Sequence, residues 1–171
     1  MRTLALDLGT QTGWAFAANP AAVVRGAWDL SFTRRDATGR RHFDDGAARY
    51  ARLVENLDRL REDLRFERVY FEEVRRHKGV IAAQIYGGLM SHLQTWCAAQ
   101  GLPYRGVGVG PIKKHVTGKG NASKVEMLLA LERAGYACGS EDEADALGLL
   151  LFVLGVPVKP LLFVGATGQA G

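Results

Sequence analysis

Thr3-Leu-Ala-Leu-Asp7-Leu-Gly-Thr-Gln-Thr-Gly13-Trp-Ala-Phe-Ala17 is the stretch that decides the fold. Small and apolar residues on either side of a seven-residue, two-glycine segment predict strands at 3–7 and 13–17 joined by a tight hairpin, Asp7 to Gly13. The apolar run Thr3–Leu6 ends on a carboxylate. An ionised carboxylate in apolar surroundings is costly unless a cation or hydrogen bonds compensate it.

The same pattern recurs downstream. Val69-Tyr-Phe-Glu72 is a short apolar strand ending in an acid, and alternation leaves open whether Glu72 or Glu73 faces inward. Asp142 and Asp145 open the apolar run Ala146-Leu-Gly-Leu-Leu-Leu-Phe-Val-Leu154, three apart and so on one helical face. Ser140-Glu-Asp-Glu143 matches a capping box for that helix. Taken singly, each acid reads as a turn former or a helix-start residue. Jointly, several elements deliver Asp7, Glu72, Asp142 and Asp145 beside apolar sequence. Four converging carboxylates suit hard divalent cations such as magnesium or manganese, and two such ions can clamp a phosphodiester undergoing displacement.

Between these anchors, a third strand is predicted near Val23–Leu30 and a polar loop over Thr33–Arg41. An amphipathic helix from about Asp45 to Leu64 buries Tyr50, Leu53, Val54, Leu57, Leu60 and Leu64. A helix over Gly79–Ala99 follows, then a strand over Pro103–Val109 and short helices over Gly110–Val116 and Ala122–Ala134. Hairpins first, then alternating helices and strands, predict an α/β fold: one mixed sheet with helices on both faces, a single domain over 1–156 and an irregular tail over 157–171. The helix at 79–99 is apolar on two sides, Ile81, Ile85, Leu89, His92 and Trp96 on one and Tyr86, Met90 and Leu93 on the other. One side fits the sheet and the other a twin subunit.

The 171 residues carry a net charge of +4, distributed unevenly. Val74 to Val125 contains no Asp or Glu but holds Arg75, Arg76, Lys78, Arg105, Lys113, Lys114, Lys119 and Lys124, leaving 14 basic against 18 acidic residues elsewhere. Such segregation is the footprint of a surface for a polyanion. Two cysteines outside any CxxC pair indicate neither a disulfide framework nor a zinc site, which fits a reducing cytoplasm. Apolar runs are too short or too interrupted for a membrane span or a secretory signal.

Four motifs in order, Leu6-Asp-Leu-Gly-Thr-Gln-Thr-Gly-Trp14, Val69-Tyr-Phe-Glu-Glu-Val74, Ile112-Lys-Lys-His-Val-Thr-Gly-Lys-Gly-Asn-Ala-Ser-Lys124 and Asp142-Glu-Ala-Asp-Ala-Leu147, resemble the RuvC family of Holliday-junction resolvases within the RNase H-like nucleases. The likeness runs from about Thr3 to Gly155. It implies a catalytic and metal-binding tetrad of Asp7, Glu72, Asp142 and Asp145, choosing Glu72 over Glu73, and functional lysines at Lys113 and Lys124. It also implies a homodimer that nicks two symmetry-related strands of a four-way DNA junction. Lys124 would act in chemistry, and Arg75, Arg76, Lys78, Lys113, Lys114, Lys119 and Lys124 would contact DNA. The family commonly carries an aromatic residue shortly after the catalytic glutamate, and Val74-Arg-Arg-His-Lys78 has none. A less selective nuclease for forks and flaps is therefore the competing enzyme. A kinase or actin-type ATPase needs more chain than this, and a pure DNA-binding protein gains nothing from acids beside phosphate.

Overall fold

A computed structural model of the protein describes residues 1–31, 33–35, 37–38, 41–43, 46–75 and 79–160, with the backbone alone at 33–35 and 41–43. The first hairpin forms as expected. Strand β1 (Thr3–Asp7) pairs antiparallel with β2 (Gln11–Asn19), and β2 pairs antiparallel with β3 (Ala22–Asp29). Thr12 closes the first turn: its hydroxyl donates to the Gly9 carbonyl at 2.7 Å and accepts from the Gly9 amide at 3.3 Å.

After β3 comes a departure. The segment expected to be a polar loop contains a separate antiparallel pair, β4 (Thr33–Arg35) with β5 (Arg41–Phe43). Helix α1 (Ala47–Leu64) leads to β6 (Arg68–Glu73), which joins the other edge of β1 in parallel. Helix α2 (Val80–Ala99) crosses over to β7 (Tyr104–Gly108), parallel to β6. Helices α3 (Val109–Thr117), α4 (Lys124–Arg133) and α5 (Glu141–Leu154) complete the chain. The sheet order is β3-β2-β1-β6-β7.

Side-chain alternation divides the core into two layers. Leu4, Leu6, Phe16, Val69 and Phe71 face α1 and α2, meeting Leu53, Leu57, Leu89, Leu93 and Trp96. The opposite face is built from small residues, Ala5, Ala15 and Ala17, against which α5 lies with Leu147 and Leu151. Burying each large aliphatic contributes roughly 1.5–3 kcal/mol. The small face brings the α5 backbone close: a Cβ on Gly13 would stand 1.9 Å from the backbone oxygen of Asp142.

Two further expectations need correction. The buried stripe of α2 is Tyr86, Leu89, Leu93, Trp96 and Cys97, drawn from both anticipated sides. His92, assigned to the buried side, is exposed and stacks on Tyr50 with ring centroids 4.5 Å apart. At α5, Ser140 does cap the helix, its hydroxyl accepting from the Glu143 amide at 3.1 Å. Glu143 does not reciprocate on Ser140; it accepts from the Gly139 amide at 3.2 Å and pairs with Arg25 at 2.7 Å. The complete capping box is at α4, between Ser123 and Glu126. Residues 157–160 form neither helix nor strand, and the rest of the expected tail lies outside the described residues, as do Arg76, His77 and Lys78.

Candidate active site

Asp7 is the last residue of β1. The parallel register matches Ala5 with Tyr70 and Leu6 with Phe71, so Asp7 and Glu72 follow at the next step, side by side at the ends of the two central strands. Residues matched in this way share a face. Glu72 therefore joins Asp7 on the α5 side, which resolves the choice that alternation left open. Glu73 belongs to the other face, with a side chain 43% exposed and 3.4 Å from Arg75.

The remaining acids arrive on α5. Because Gly13 presents no side chain, the first turn of that helix seats directly on β2 beside the end of β1. This delivers Asp142 and Asp145, of which Asp145 is only 6% exposed. Lys124 enters as the first residue of α4, oriented by its capping box: the Ser123 hydroxyl accepts from the Glu126 amide at 3.2 Å and Glu126 Oε2 accepts from the Ser123 amide at 2.8 Å. Lys124 Nζ stands 3.0 Å from Asp142 Oδ1, 3.1 Å from Asp145 Oδ2 and 4.0 Å from Asp7 Oδ2. Lys113, from α3, donates to the Ala122 carbonyl at 2.6 Å, holding the loop that precedes α4.

Electrostatics follow from this crowding. Burial, then repulsion from Glu72 and Asp145, raises the Asp7 carboxyl well above its ordinary range. Burial, then the charge of Asp145, pushes Glu72 up to about 7 even with Lys113 and Lys124 opposing. Asp145 is also raised, by burial that Lys124 offsets in part. For Lys124, burial acts to lower its pKa, but Asp145, Asp142 and Asp7 outweigh it and hold the ammonium above its usual range. The cluster is short of positive charge.

That shortage, in an all-carboxylate donor set, fits a hard divalent cation. Among the described residues no three acids or other ligand side chains form a ready-made metal shell. The ammonium of Lys124 instead lies within 4.0 Å of Asp7, Asp142 and Asp145. A cation taken up by these acids would share their oxygens with Lys124 or displace it.

Of the basic residues singled out in the sequence, Lys113 and Lys124 join the acids. Lys119 pairs with Glu126 at 3.1 Å, Lys114 is exposed on α3, and Arg75 sits beyond β6 with its side chain 83% exposed. His115 is structural: its Nε2 lies 2.8 Å from the Val156 carbonyl and its ring meets Phe152 edge-on. Two contributors were not anticipated. Gly13 admits α5, and Tyr86 clamps the end of β6, its hydroxyl donating to the Glu72 carbonyl at 2.8 Å and accepting from the Val74 amide at 3.1 Å. An aromatic inside an apolar helix carries no sequence signal for that task.

This architecture is the RNase H-like α/β fold, with a mixed five-stranded sheet and carboxylates where its central strands end. Among solved structures its fold is similar to that of RuvC-type resolvases. It superposes on Thermus thermophilus RuvC in complex with Holliday junction substrate with a TM-score of 0.70 and 22% identity, covering 94% of this chain and 99% of that one. A second Thermus thermophilus RuvC structure gives 0.63 and 22%, covering 94% and 100%. The yeast mitochondrial Holliday junction resolvase gives 0.60 and 14%, covering 90% and 77%. No protein-family profile and no curated protein sequence matches the chain.

Proposed function

We propose that this protein is a metal-dependent endonuclease that resolves four-way DNA junctions by paired nicks, with residues 1–156 as the nuclease domain. The observation that carries the reading is the meeting of Asp7, Asp142 and Asp145 around one ammonium, with Glu72 beside Asp7 at the next strand end, in a fold that a junction-bound RuvC shares.

Asp7, Glu72, Asp142 and Asp145 would hold magnesium or manganese, with two ions per site. Bound cations supply Lewis-acid activation of water and neutralise charge on the phosphate. Lys124, at the centre of the acids, would supply positive charge to the scissile phosphate. Lys113 keeps the loop before α4 in place and adds positive potential beside Glu72. Arg75, Arg76, Lys78, Lys114 and Lys119 contact flanking phosphates and position the DNA without reading its sequence.

Paired nicks need two sites, so the working unit is a homodimer. Val80 and Ile81, each 73% exposed at the start of α2, offer apolar surface for the second copy. A second reading, a less selective nuclease acting on forks and flaps, is favoured by the lack of an aromatic in Val74–Lys78. No helix among the described residues is long and apolar enough to cross a membrane.

The test is cleavage of synthetic four-way, fork, flap and linear DNA with magnesium or manganese. Symmetric nicks in the junction support resolution, and equal cutting of all branched forms supports the second reading. Failure to cut any of them, by folded protein that binds the metal, overturns both.

A further inference from the structure

Between the outer edge of β7 and the last turns of α5 lies a cleft of about 630 Å³, bordered by Tyr70, Glu73, Arg105, Pro111, Phe152 and Val153. That volume is ordinary for a ligand site. The four acids, Lys113 and Lys124 all lie outside it. Tyr70 of β6 is matched in register with Arg105 of β7, so both side chains share the sheet face that carries Glu72. Phe152 closes the cleft from α5, meeting His115 edge-on with ring centroids 5.6 Å apart. Gly106 presents no side chain at the sheet edge. A Cβ there would stand 3.2 Å from that of Glu73, which borders the cleft from the other face. Arg105 is exposed, and no carboxylate among the described residues pairs with it. The Tyr70 hydroxyl likewise has no hydrogen-bond partner among them.

The cleft is continuous with the acid cluster. Glu73 follows Glu72 in the chain and is matched with Gly108, the last residue of β7, so one end opens at the carboxylate edge of the sheet. From there it runs back past Tyr70, roughly 7 Å from Glu72 along β6. Its far wall, Phe152, is two turns and roughly 10 Å from Asp145 along α5. A DNA strand advances about 3.4 Å per nucleotide, so these spans correspond to about two or three nucleotides.

Two aromatic rings, an unpaired guanidinium and a carboxylate bordering one cleft suit a nucleotide. The rings stack on any base, the guanidinium takes phosphate or a base edge, and the carboxylate accepts from an amino group. A base inside a duplex is paired and stacked on both sides, whereas one at a break in pairing leaves its stack at little cost. We infer that this cleft holds a single unstacked nucleotide of the cut strand, about two or three steps from the scissile phosphate. It thereby favours DNA whose pairing is interrupted beside the cut. This rests on the nuclease reading above.

The experiment uses Asp7→Asn protein and four-way junctions, each lacking one base within about three nucleotides of the phosphate that unsubstituted protein cuts. Loss of one particular base is expected to weaken binding about 5–100-fold, the range for a base stacked on aromatic rings. With Arg105→Gln and Phe152→Leu added, the intact junction should bind correspondingly less well, and the same missing base should cost nothing further. Arg105→Gln alone, at an exposed position, serves should the combined variant unfold, and it should reduce both the affinity and the penalty. If unsubstituted protein cuts junctions while no missing base changes affinity, the cleft inference is wrong and the nuclease reading stands. A penalty that persists in full in the folded combined variant also overturns it, because the base then sits elsewhere. If Asp7→Asn protein binds no junction and unsubstituted protein cuts none, both fall together.

Discussion

Gly13 and the Asp142 carbonyl are so close that no side chain fits between them: an added Cβ would stand 1.9 Å from that oxygen. The distance between β2 and the first turn of α5 is set by this absence, and with it the position of Asp142 and Asp145 relative to Asp7. Gly13→Ala should therefore lift the start of α5. Overpacking of this kind costs about 1–3 kcal/mol, and manganese affinity measured by calorimetry should fall at least several-fold. Unchanged affinity would show that α5 is placed by other contacts.

Lys124 neutralises acids that a cation would otherwise neutralise. Lys124→Gln should lower the stability of metal-free protein by about 1–2 kcal/mol, a figure discounted for its partial exposure. Magnesium should bind the variant more tightly, because the competing ammonium is gone, while junction cleavage slows. Thermal melts with and without chelator, alongside calorimetry, check both signs. Weaker metal binding would contradict the competition.

Neighbouring glutamates should behave differently. Glu72→Gln removes an acid from the cluster and should reduce cleavage at least ~100-fold, the order that several kcal/mol of lost transition-state stabilisation implies. Glu73→Gln removes an exposed partner of Arg75 and should stay within about twofold. Single-turnover rates decide, and equal losses would dissolve the distinction.

The raised acids give a definite pH dependence. Glu72 is up at about 7, and Asp7 and Asp145 are raised too. Below that range Glu72 keeps its proton and must release it to a cation, so magnesium affinity should fall as pH drops from 8 to 6. Stability takes the opposite sign. Groups whose folded pKa is raised favour the folded state below the unfolded value, near 4.5 for Glu72, and lose that contribution as pH rises through about 7. Chelator-treated protein should thus become less stable between pH 5 and 8, and magnesium should abolish the decline. A flat chelator profile would contradict the crowding of charge at the site.

Much of this was legible in the chain. Thr3–Asp7 and Val69–Glu72 announced strands ending in acids, and the spacing of Leu53 and Leu57 announced the α1 face. The choice between Glu72 and Glu73 was not legible from alternation, because it depends on the register of β6 against β1, a long-range pairing. The β4–β5 pair escaped notice because Thr33–Arg35 and Arg41–Phe43 are short and give no apolar alternation. Helix α2 misled because it is apolar nearly all round, so the pattern could not select the stripe from Tyr86 to Cys97. The close approach at Gly13 left no trace beyond a glycine in a strand, a weak sign of backbone proximity.

The parallel pairing of β1 with β6 has a further bearing on when function is lost. Amide protons of these central strands, flanked on both sides and covered on both faces, should exchange only on global opening, whereas those of the lone β4–β5 pair exchange through local opening. Mild denaturant would then open the outer pair well before Asp7 and Glu72 part company. Such a partly opened protein would keep its acid cluster assembled, so manganese affinity should persist in denaturant after the outer pair has lost its exchange protection.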